Sequence, residues 1–272
     1  MEVTLAGPFD NPEPGNVPLP DAPLVRVLAQ VRFPQFSQFM SDQDRIARQF
    51  GALVSEEYPL FEEGMETAFL LTPAGVSQQQ GGSKLWRLRA VDASWQVSFA
   101  QNFVALETSS YVRRRDFADR FEKVWEAFRS VARPPFIERV GIRYTNRVER
   151  PEVLNCLGDY LRPEVSGVIG VQMAEGHLER TVSESLYRFD DGSEFQARYG
   201  HLPAGVSLDP GISPAVGASW VLDLDSFHGW GPTGHNGDAI GEELRTLGLR
   251  CYQFFRWAVR PIFLTEFGGE FG

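Results

Sequence analysis

The chain has 272 residues, 43% of them hydrophobic, which suffices for one large domain or two smaller ones and excludes a wholly disordered protein. Its formal net charge of −10 argues against non-specific binding to nucleic acid or to an anionic membrane, although it is compatible with a local basic patch. No apolar run is long enough to span a bilayer and no secretory signal opens the sequence, so we expect a cytoplasmic protein without a membrane role.

The first predicted elements are separated by polar and proline-rich breaks. Residues 1–23 contain six prolines and no hydrophobic periodicity, which predicts an extended or mobile arm. Residues 24–33 alternate between two sets of side chains and predict the first strand, with Val25 on its apolar side. A capping-box pattern at residues 41–44 predicts the start of the first helix, and the polar, glycine-containing residues 77–83 predict an exposed loop.

The clearest periodicity lies between residues 84 and 148. Three short strands are predicted there, followed by a helix at residues 116–131 whose apolar side chains form a continuous stripe. The closing segment, residues 136–148, alternates strictly, which is typical of a half-buried antiparallel strand. Val140, Ile142, Tyr144 and Val148 point to one side of this strand, and Arg139, Arg143, Thr145 and Arg147 point to the other.

Beyond residue 150 the periodicity weakens but still separates strands from helices. An Asp191-Gly192 pair between two alternating segments predicts a β-hairpin. Proline and glycine concentrate at residues 201–219, which predicts a long surface loop. The remaining predicted elements are a short helix at residues 153–161, strands at residues 168–173, 181–189, 194–199 and 220–227, and a long helix at residues 238–259.

This order of elements predicts an α+β fold, in which antiparallel strands are covered on one face by long amphipathic helices. The expected organisation is a proline-rich arm at residues 1–23, an N-terminal half at residues 24–150 and a C-terminal half at residues 151–272. The halves could form two similar layers, or they could share one large sheet in a single domain. No residue-level repeat decides between these arrangements.

Several segments of the first half resemble one known family. They are residues 23–33 (PLVRVLAQVRF), Tyr58-Pro59, residues 103–111 (FVALETSSY) and residues 139–147 (RVGIRYTNR). Together they resemble a sporadically distributed bacterial family of hypothetical proteins of about this length. The resemblance covers residues 23–148 well and the second half loosely. Gln30 departs from the pattern, because an acidic residue is more frequent there.

The resemblance implies a soluble bacterial protein whose patchy distribution fits mobile gene cassettes with defence or toxin–antitoxin modules. It supplies no catalytic residues. The sequence itself contains no Gly-x-Ser-x-Gly elbow and no Walker loop, and Cys156 and Cys251 provide neither a disulfide framework nor metal-ligand spacing. The sequence therefore favours a non-enzymatic protein without a cofactor.

The first candidate site is a set of arginines that fall on the polar side of their predicted strands. If these strands pair, the guanidinium groups share one broad face that can bind an acidic protein surface, a phosphate or a nucleic acid. The competing interpretation is a solvated face on which arginines pair with glutamates. The set comprises Arg26, Arg32, Arg87, Arg89, Arg139, Arg143 and Arg147.

The second candidate site lies around the strand predicted at residues 220–227. Asp223 and Asp225 share one face of that strand and His228 follows at its end, so these side chains could hold a divalent metal and activate water. Their spacing matches no established metal signature. Outward-facing aspartates followed by a loop histidine explain the same pattern.

We therefore expect a non-catalytic binding or regulatory protein that acts through a protein partner, as the regulatory or neutralising half of a bacterial two-gene system. An acidic partner protein fits a chain of charge −10 better than DNA does. Two alternatives stay open. One is a metal-dependent hydrolase that uses Asp223, Asp225 and His228, and the other is a nucleic-acid or phosphate binder that uses the arginine-rich sheet face.

Overall fold

A single antiparallel sheet runs through the part of the chain that the structure describes. This computed structural model describes residues 7–11, 14–72, 75–171, 174–231 and 234–270, and it gives the backbone alone for residues 66–72, 75–82 and 170. The strands are β1 (Leu24–Arg32), β2 (Leu60–Thr72), β3 (Gly75–Arg89), β4 (Trp95–Ala100), β5 (Phe103–Thr108), β6 (Arg139–Val148), β7 (Ser183–Arg188), β8 (Ser193–Leu202) and β9 (Ser219–Gly229). They lie in the order β2-β3-β4-β5-β1-β6-β9-β8-β7.

Helices and strands together make this an α+β fold, as the sequence predicts. Long helices follow the first, fifth and ninth strands, and short helices fill the connection after the sixth. None of the helices in the described residues combines the length and the apolar character that a membrane span requires. The helices are α1 (Ser37–Leu53), α2 (Arg114–Ala132), α3 (Pro151–Leu154), α4 (Leu157–Tyr160), α5 (Pro163–Ser166), α6 (Ile240–Ala258) and α7 (Pro261–Glu266), with a short 3₁₀ helix at Gly167–Gly170.

The two halves of the chain follow related orders of elements around the central strands β1 and β6, with one additional strand, β2, in the first half. β1 is followed by a helix and, after β2, by β3, β4 and β5 and the long helix α2. β6 is followed by short helices, by β7, β8 and β9, and by the long helix α6. In each half the last strand returns beside the first, so β5 pairs with β1 and β9 pairs with β6. One sheet therefore continues across residue 150.

Successive side chains of each strand point to opposite faces of the sheet. In β1, Val27, Ala29 and Val31 are fully buried, in one hydrophobic core with residues of the long helices. Val25 departs from its predicted place on this side. A β-bulge at the start of β1 shifts the register against β6, and Val25 lines a small cavity with Thr145 on the other face.

The core between the sheet and the long helices is rich in aromatic rings. Phe128 of α2 is fully buried, and its ring centroid lies 5.4 Å from that of Phe33, 5.3 Å from that of Phe50 and 5.9 Å from that of Phe99. These rings belong to α1, β4 and the residue that follows β1. The helix α6 packs against α2 and against β6 and β9, so the same core extends into the second half.

The β2–β3 hairpin is longer than the strands beside it. β3 has 15 residues but pairs with β4 only from Trp86 to Arg89. Residues 77–83, for which the sequence predicts a loop, therefore lie inside a strand. The prediction is wrong because backbone pairing with β2, which polar residues support as well as apolar ones, determines the conformation there. Among the described strands, β2 has no neighbour on its outer side.

Two other predicted boundaries also differ from the structure. The helix α1 begins at Ser37, ahead of the predicted capping box, and Asp42 within that box interrupts the helix with a φ of −128°. The strand predicted at residues 168–173 is replaced by the 3₁₀ helix at Gly167–Gly170, and residues 172 and 173 lie outside the described part of the chain. Short apolar runs do not distinguish these conformations, because each of them can bury the same side chains.

Truncation of Phe128 tests the central place of the aromatic core. We expect Phe128→Ala to lower the free energy of unfolding by about 3–5 kcal/mol, because the surrounding rings cannot fully close the cavity. Urea denaturation followed by circular dichroism measures this loss. Val216→Ala is the control, since that side chain is 97% exposed and its truncation should change the free energy by less than about 0.5 kcal/mol. Equal losses from both variants would show that Phe128 is not part of a packed core.

Candidate binding face

The open face of the sheet, the side opposite to α1, α2 and α6, carries the arginines that the sequence singles out. Their strand positions all alternate with the buried core positions. The register places Arg32 opposite Arg139 and places Leu28 opposite Arg143. Carboxylates lie among the guanidinium groups, so the face is a mixed network of charges. The arginines are Arg26, Arg32, Arg87, Arg89, Arg139, Arg143 and Arg147, and their acidic partners are Glu62, Glu107, Glu149, Asp209, Asp223 and Asp225.

Asp223 of β9 is the carboxylate with the most hydrogen-bond donors on this face. Its carboxylate is only 3% exposed and accepts hydrogen bonds from Arg143 Nε at 2.6 Å and Nη2 at 2.8 Å. Arg198 of β8 donates from Nε at 3.0 Å and from Nη2 at 2.6 Å, and the Thr145 hydroxyl donates at 3.2 Å. Such charge-assisted bonds are stronger than bonds between neutral groups. Asp223 therefore ties β6, β8 and β9 together.

A second carboxylate, Asp209, reaches the face from the loop between β8 and β9. It bridges Arg26 of β1 and Arg143 of β6, whose Nη1 atom lies 2.9 Å away. Arg26 also lies 3.7 Å from Glu107 of β5. Paired charges thus extend over five neighbouring strands, from β5 to β8. We name Glu107, Arg26, Asp209, Arg143, Asp223 and Arg198 the cross-strand network.

The loop that carries this carboxylate, residues 203–218, lies across the open face. Its ends are joined by a hydrogen bond from Gly205 N to Ala215 O at 3.0 Å. Arg147 Nη1 donates to Ser213 O at 2.7 Å and so binds the loop to β6. The sequence predicts a surface loop in this region. In the structure this loop is bound to the sheet through Asp209 and Ser213.

Three members of the cross-strand network are not among the candidates that the sequence analysis names. Glu107 could have been found, because it alternates with the buried Leu106 and Thr108 of β5. Arg198 could have been found, because it alternates with the buried Phe195 and Ala197 of β8 and so belongs to the open face. Asp209 could not have been found. It lies in an irregular loop, where no local pattern shows which strand a side chain will contact.

Three arginines of the face, two on β3 and one at the end of β1, have fewer acidic partners than Arg26 and Arg143 of the cross-strand network. Arg87 and Arg89 share the carboxylate of Glu62, at 3.6 and 2.9 Å. Arg32 is exposed and donates from Nε to Gln30 Oε1 at 2.8 Å, and no carboxylate of a described residue pairs with it. We name Arg32, Arg87 and Arg89 the rim arginines.

Burial acts differently on the carboxylates of this face. Burial alone would raise the pKa of Asp223, but the hydrogen bonds and charges of its two arginine partners outweigh it and hold that pKa below its ordinary value. For Glu107 and Asp225 burial dominates, and their pKa values are raised although arginines lie nearby. The face therefore holds one carboxylate that the fold stabilises as an anion and two that the fold disfavours as anions.

The structure does not bring Asp223, Asp225 and His228 together as metal ligands. The aspartates lie on the open face, where arginines bind both of them. His228 lies on the opposite face of β9, and its Nδ1 atom is 2.9 Å from Glu243 Oε1 of α6. In the described residues no group of three His, Cys, Asp or Glu side chains is arranged to hold a metal ion. The parity of the strand already separates residue 228 from residues 223 and 225.

Comparisons with known proteins assign no function to this face. No protein-family model, no curated protein and no solved structure matches the chain. The geometry of the open face therefore carries the functional interpretation.

Two isosteric substitutions in the cross-strand network should differ in their effects on the free energy of unfolding. Asp223→Asn removes the anion that holds Arg143 and Arg198, so we expect the free energy of unfolding at neutral pH to fall by about 3–5 kcal/mol. Glu107→Gln removes a carboxylate whose pKa is raised in the folded protein, so its ionised form opposes folding. That variant should be as stable as the wild type or more stable. Urea denaturation of both variants measures the difference.

The effect of Asp223→Asn also has a defined pH dependence. A carboxylate whose pKa is lowered on folding stabilises the protein above its unfolded pKa, about 3.9 for Asp, and loses this effect as the pH falls through the folded pKa. The stability difference between wild type and variant should stay constant from neutral pH to about pH 5 and shrink below about pH 4. Equal losses from the two substitutions, or a difference that grows in acid, would refute the assigned pKa directions.

Proposed function

We propose that this is a non-catalytic binding protein and that its partner is a protein with an acidic surface, which contacts the rim arginines. The shortage of carboxylates around these side chains is the observation that carries the proposal. Glu62 serves both Arg87 and Arg89, and Arg32 is bound to an amide oxygen. Three strand spacings separate β3 from β1, about 14 Å, so one partner surface of ordinary size can reach all three guanidinium groups.

The central arginines of the open face have a structural role in this proposal. Arg26, Arg139 and Arg143 are bound to carboxylates that are themselves largely buried. Withdrawing them toward a partner would leave those carboxylates unpaired inside the protein, which costs more than a new surface contact returns. They therefore hold neighbouring strands together beneath the partner, and the rim arginines are the ones available to it.

The chemistry of the surrounding surface supports a protein partner over a nucleic acid. The net charge of −10 repels every anionic partner at long range, and it repels the dense charge of a phosphate backbone more strongly than the sparser charge of an acidic protein surface. Phe103 is half-buried opposite Arg32 on the open face, and Leu28 is half-buried farther along β1. Arg139 lies over the ring of Phe227 at 4.2 Å. Arginine and aromatic side chains are enriched in protein interfaces.

The rest of the molecule serves this face as a scaffold in our proposal. We infer that the long helices cover the other face of the sheet along its length, and that the two halves descend from one duplicated unit, as their related orders of elements suggest. The resemblance of residues 23–148 to a sporadically distributed bacterial family supports a cytoplasmic role as the regulatory or neutralising half of a two-gene system.

Charge reversal at the rim tests the proposed contact. The probe is a labelled oligoglutamate peptide, and its binding to the full-length chain is followed by fluorescence anisotropy at two salt concentrations. We expect Arg32→Glu, Arg87→Glu and Arg89→Glu combined to weaken binding by about tenfold, because each exposed ion pair contributes roughly 0.2–1 kcal/mol.

A triple variant on the helical side is the matched control, since it changes the net charge by the same amount. It combines Arg45→Glu, Arg48→Glu and Arg115→Glu, all at exposed positions of α1 and α2. If the control substitutions weaken binding of the peptide as much as the rim substitutions do, the effect arises from net charge and the rim arginines are not the binding site. A DNA oligonucleotide of equal charge that binds more tightly than the peptide would favour the nucleic-acid alternative.

A further inference from the structure

The N-terminal arm docks on the outer side of α6 and takes no part in the sheet. Its described residues, 7–11 and 14–22, form neither strand nor helix. Near its end, Asp21 N donates to Phe267 O at 3.3 Å, just beyond α7. Residues 9–17 of the arm are held by aromatic contacts and by hydrogen bonds to side chains of α6.

Phe9 anchors the arm in an aromatic pocket. Its ring lies 5.2 Å from that of Tyr187, 5.0 Å from that of Phe189 and 5.2 Å from that of Phe195, each in an edge-to-face arrangement. Phe254 of α6 lies behind it at 6.3 Å. Edge-to-face packing is a favoured geometry of aromatic pairs. The pocket between β7, β8 and α6 thus accepts an aromatic side chain from outside the sheet.

Beside this pocket, α6 binds the arm through the arm's backbone. The Tyr252 hydroxyl donates to Gly15 O at 2.9 Å and accepts from Val17 N at 3.0 Å. Arg256 Nη1 also donates to Gly15 O. Every peptide has such carbonyl and amide groups, so these contacts select an extended conformation and not a particular sequence.

The composition of the arm fits this mode of binding. Gln253 Nε2 donates to Asn11 O at 2.9 Å, a further contact with a carbonyl group. Proline has no N–H and favours an extended backbone, which leaves the carbonyl oxygens as the groups to be recognised. An aromatic-lined groove with donors for carbonyl oxygens is the arrangement by which proline-rich peptides are commonly bound. The described part of the arm contains Pro8, Pro14, Pro18 and Pro20.

We propose that this surface is a peptide-binding groove that the chain's own N-terminal arm occupies. Its ligand in a complex is an extended, proline-containing segment of another protein with one aromatic side chain, and this segment binds by displacing the arm. The groove contains none of the arginines of the open face. The α6 groove consists of Tyr187, Phe189, Phe195, Tyr252, Gln253, Phe254 and Arg256.

The tether makes the arm a strong competitor for this groove. A ligand joined to its site by a short flexible linker acts at an effective concentration on the order of millimolar, so a free peptide binds the intact chain weakly. Phe9→Ala removes the anchor and leaves the tether in place. The substitution should therefore free the groove for a peptide added from outside.

A labelled peptide of residues 7–22 tests this proposal by fluorescence anisotropy with full-length chains. We expect the Phe9→Ala chain to bind it at least about tenfold more tightly than the wild type does, because competition by the arm is relieved. The same peptide with Phe9→Ala should not bind. Adding Tyr252→Phe to the Phe9→Ala chain keeps the ring but removes the hydroxyl, and affinity should fall by several-fold.

A shuffled peptide distinguishes a binding groove from a dedicated structural contact. It keeps the phenylalanine and the prolines in place and permutes the other side chains, and it should bind within about threefold of the native peptide, since the groove contacts its backbone. Failure of the shuffled peptide to bind would overturn the proposal. So would equal affinity of the native peptide for the wild-type and Phe9→Ala chains.

Hydrogen exchange in the wild-type chain gives a measurement that needs no substitution. A saturating concentration of the shuffled peptide should accelerate amide exchange in residues 7–22, because the arm leaves the groove when the peptide enters. Unchanged exchange in the arm while the peptide is bound would place the peptide elsewhere and overturn the proposal.

Discussion

The antiparallel pairing of β1 with β6 is the interaction on which the rest of the structure depends. It joins the first strand of each half, and the other strands are added outward from this pair. Its register places Ala29 opposite Ile142 on the core side and Leu28 opposite Arg143 on the open face. A slip by one residue would send the apolar side chains to solvent and the arginines into the core. The same pairing therefore fixes the hydrophobic core and the charged network.

The sequence predicts those features that depend on local periodicity. Alternation in residues 139–148 is visible along the chain, so both the strand and the side on which its arginines lie follow from it. The loop that the sequence predicts at residues 77–83 is wrong, because the partner strand β2 determines the conformation there. The contact of Asp209 with Arg26 joins positions 183 residues apart, and no local pattern shows it. The carboxylates that neutralise the face could be assigned only after the strands had been placed side by side.

The open face and the α6 groove, the two surfaces for which we propose binding, differ in how the protein satisfies them when no partner is bound. On the open face, the cross-strand network satisfies its own charges and the rim arginines have fewer acidic partners, so in our proposal different arginines serve stability and binding. At the groove, the chain covers aromatic surface with its own arm, which spares the protein an exposed apolar patch. Binding at the rim arginines would weaken as the salt concentration rises, because ions screen exposed charges. Binding at the α6 groove would depend on the burial of an aromatic side chain.

The hairpin of β2 and β3 bears on how this protein behaves at high concentration. An exposed outer strand offers a row of backbone donors and acceptors to a neighbouring molecule, and such edges are starting points for aggregation. Glu62 and Glu63 of β2 have side chains that are 46% and 49% exposed. Both carboxylates are bound to cations of β3, so a second molecule that met this strand would have to remove water from these ion pairs. The charged edge therefore discourages growth of the sheet from one molecule into the next.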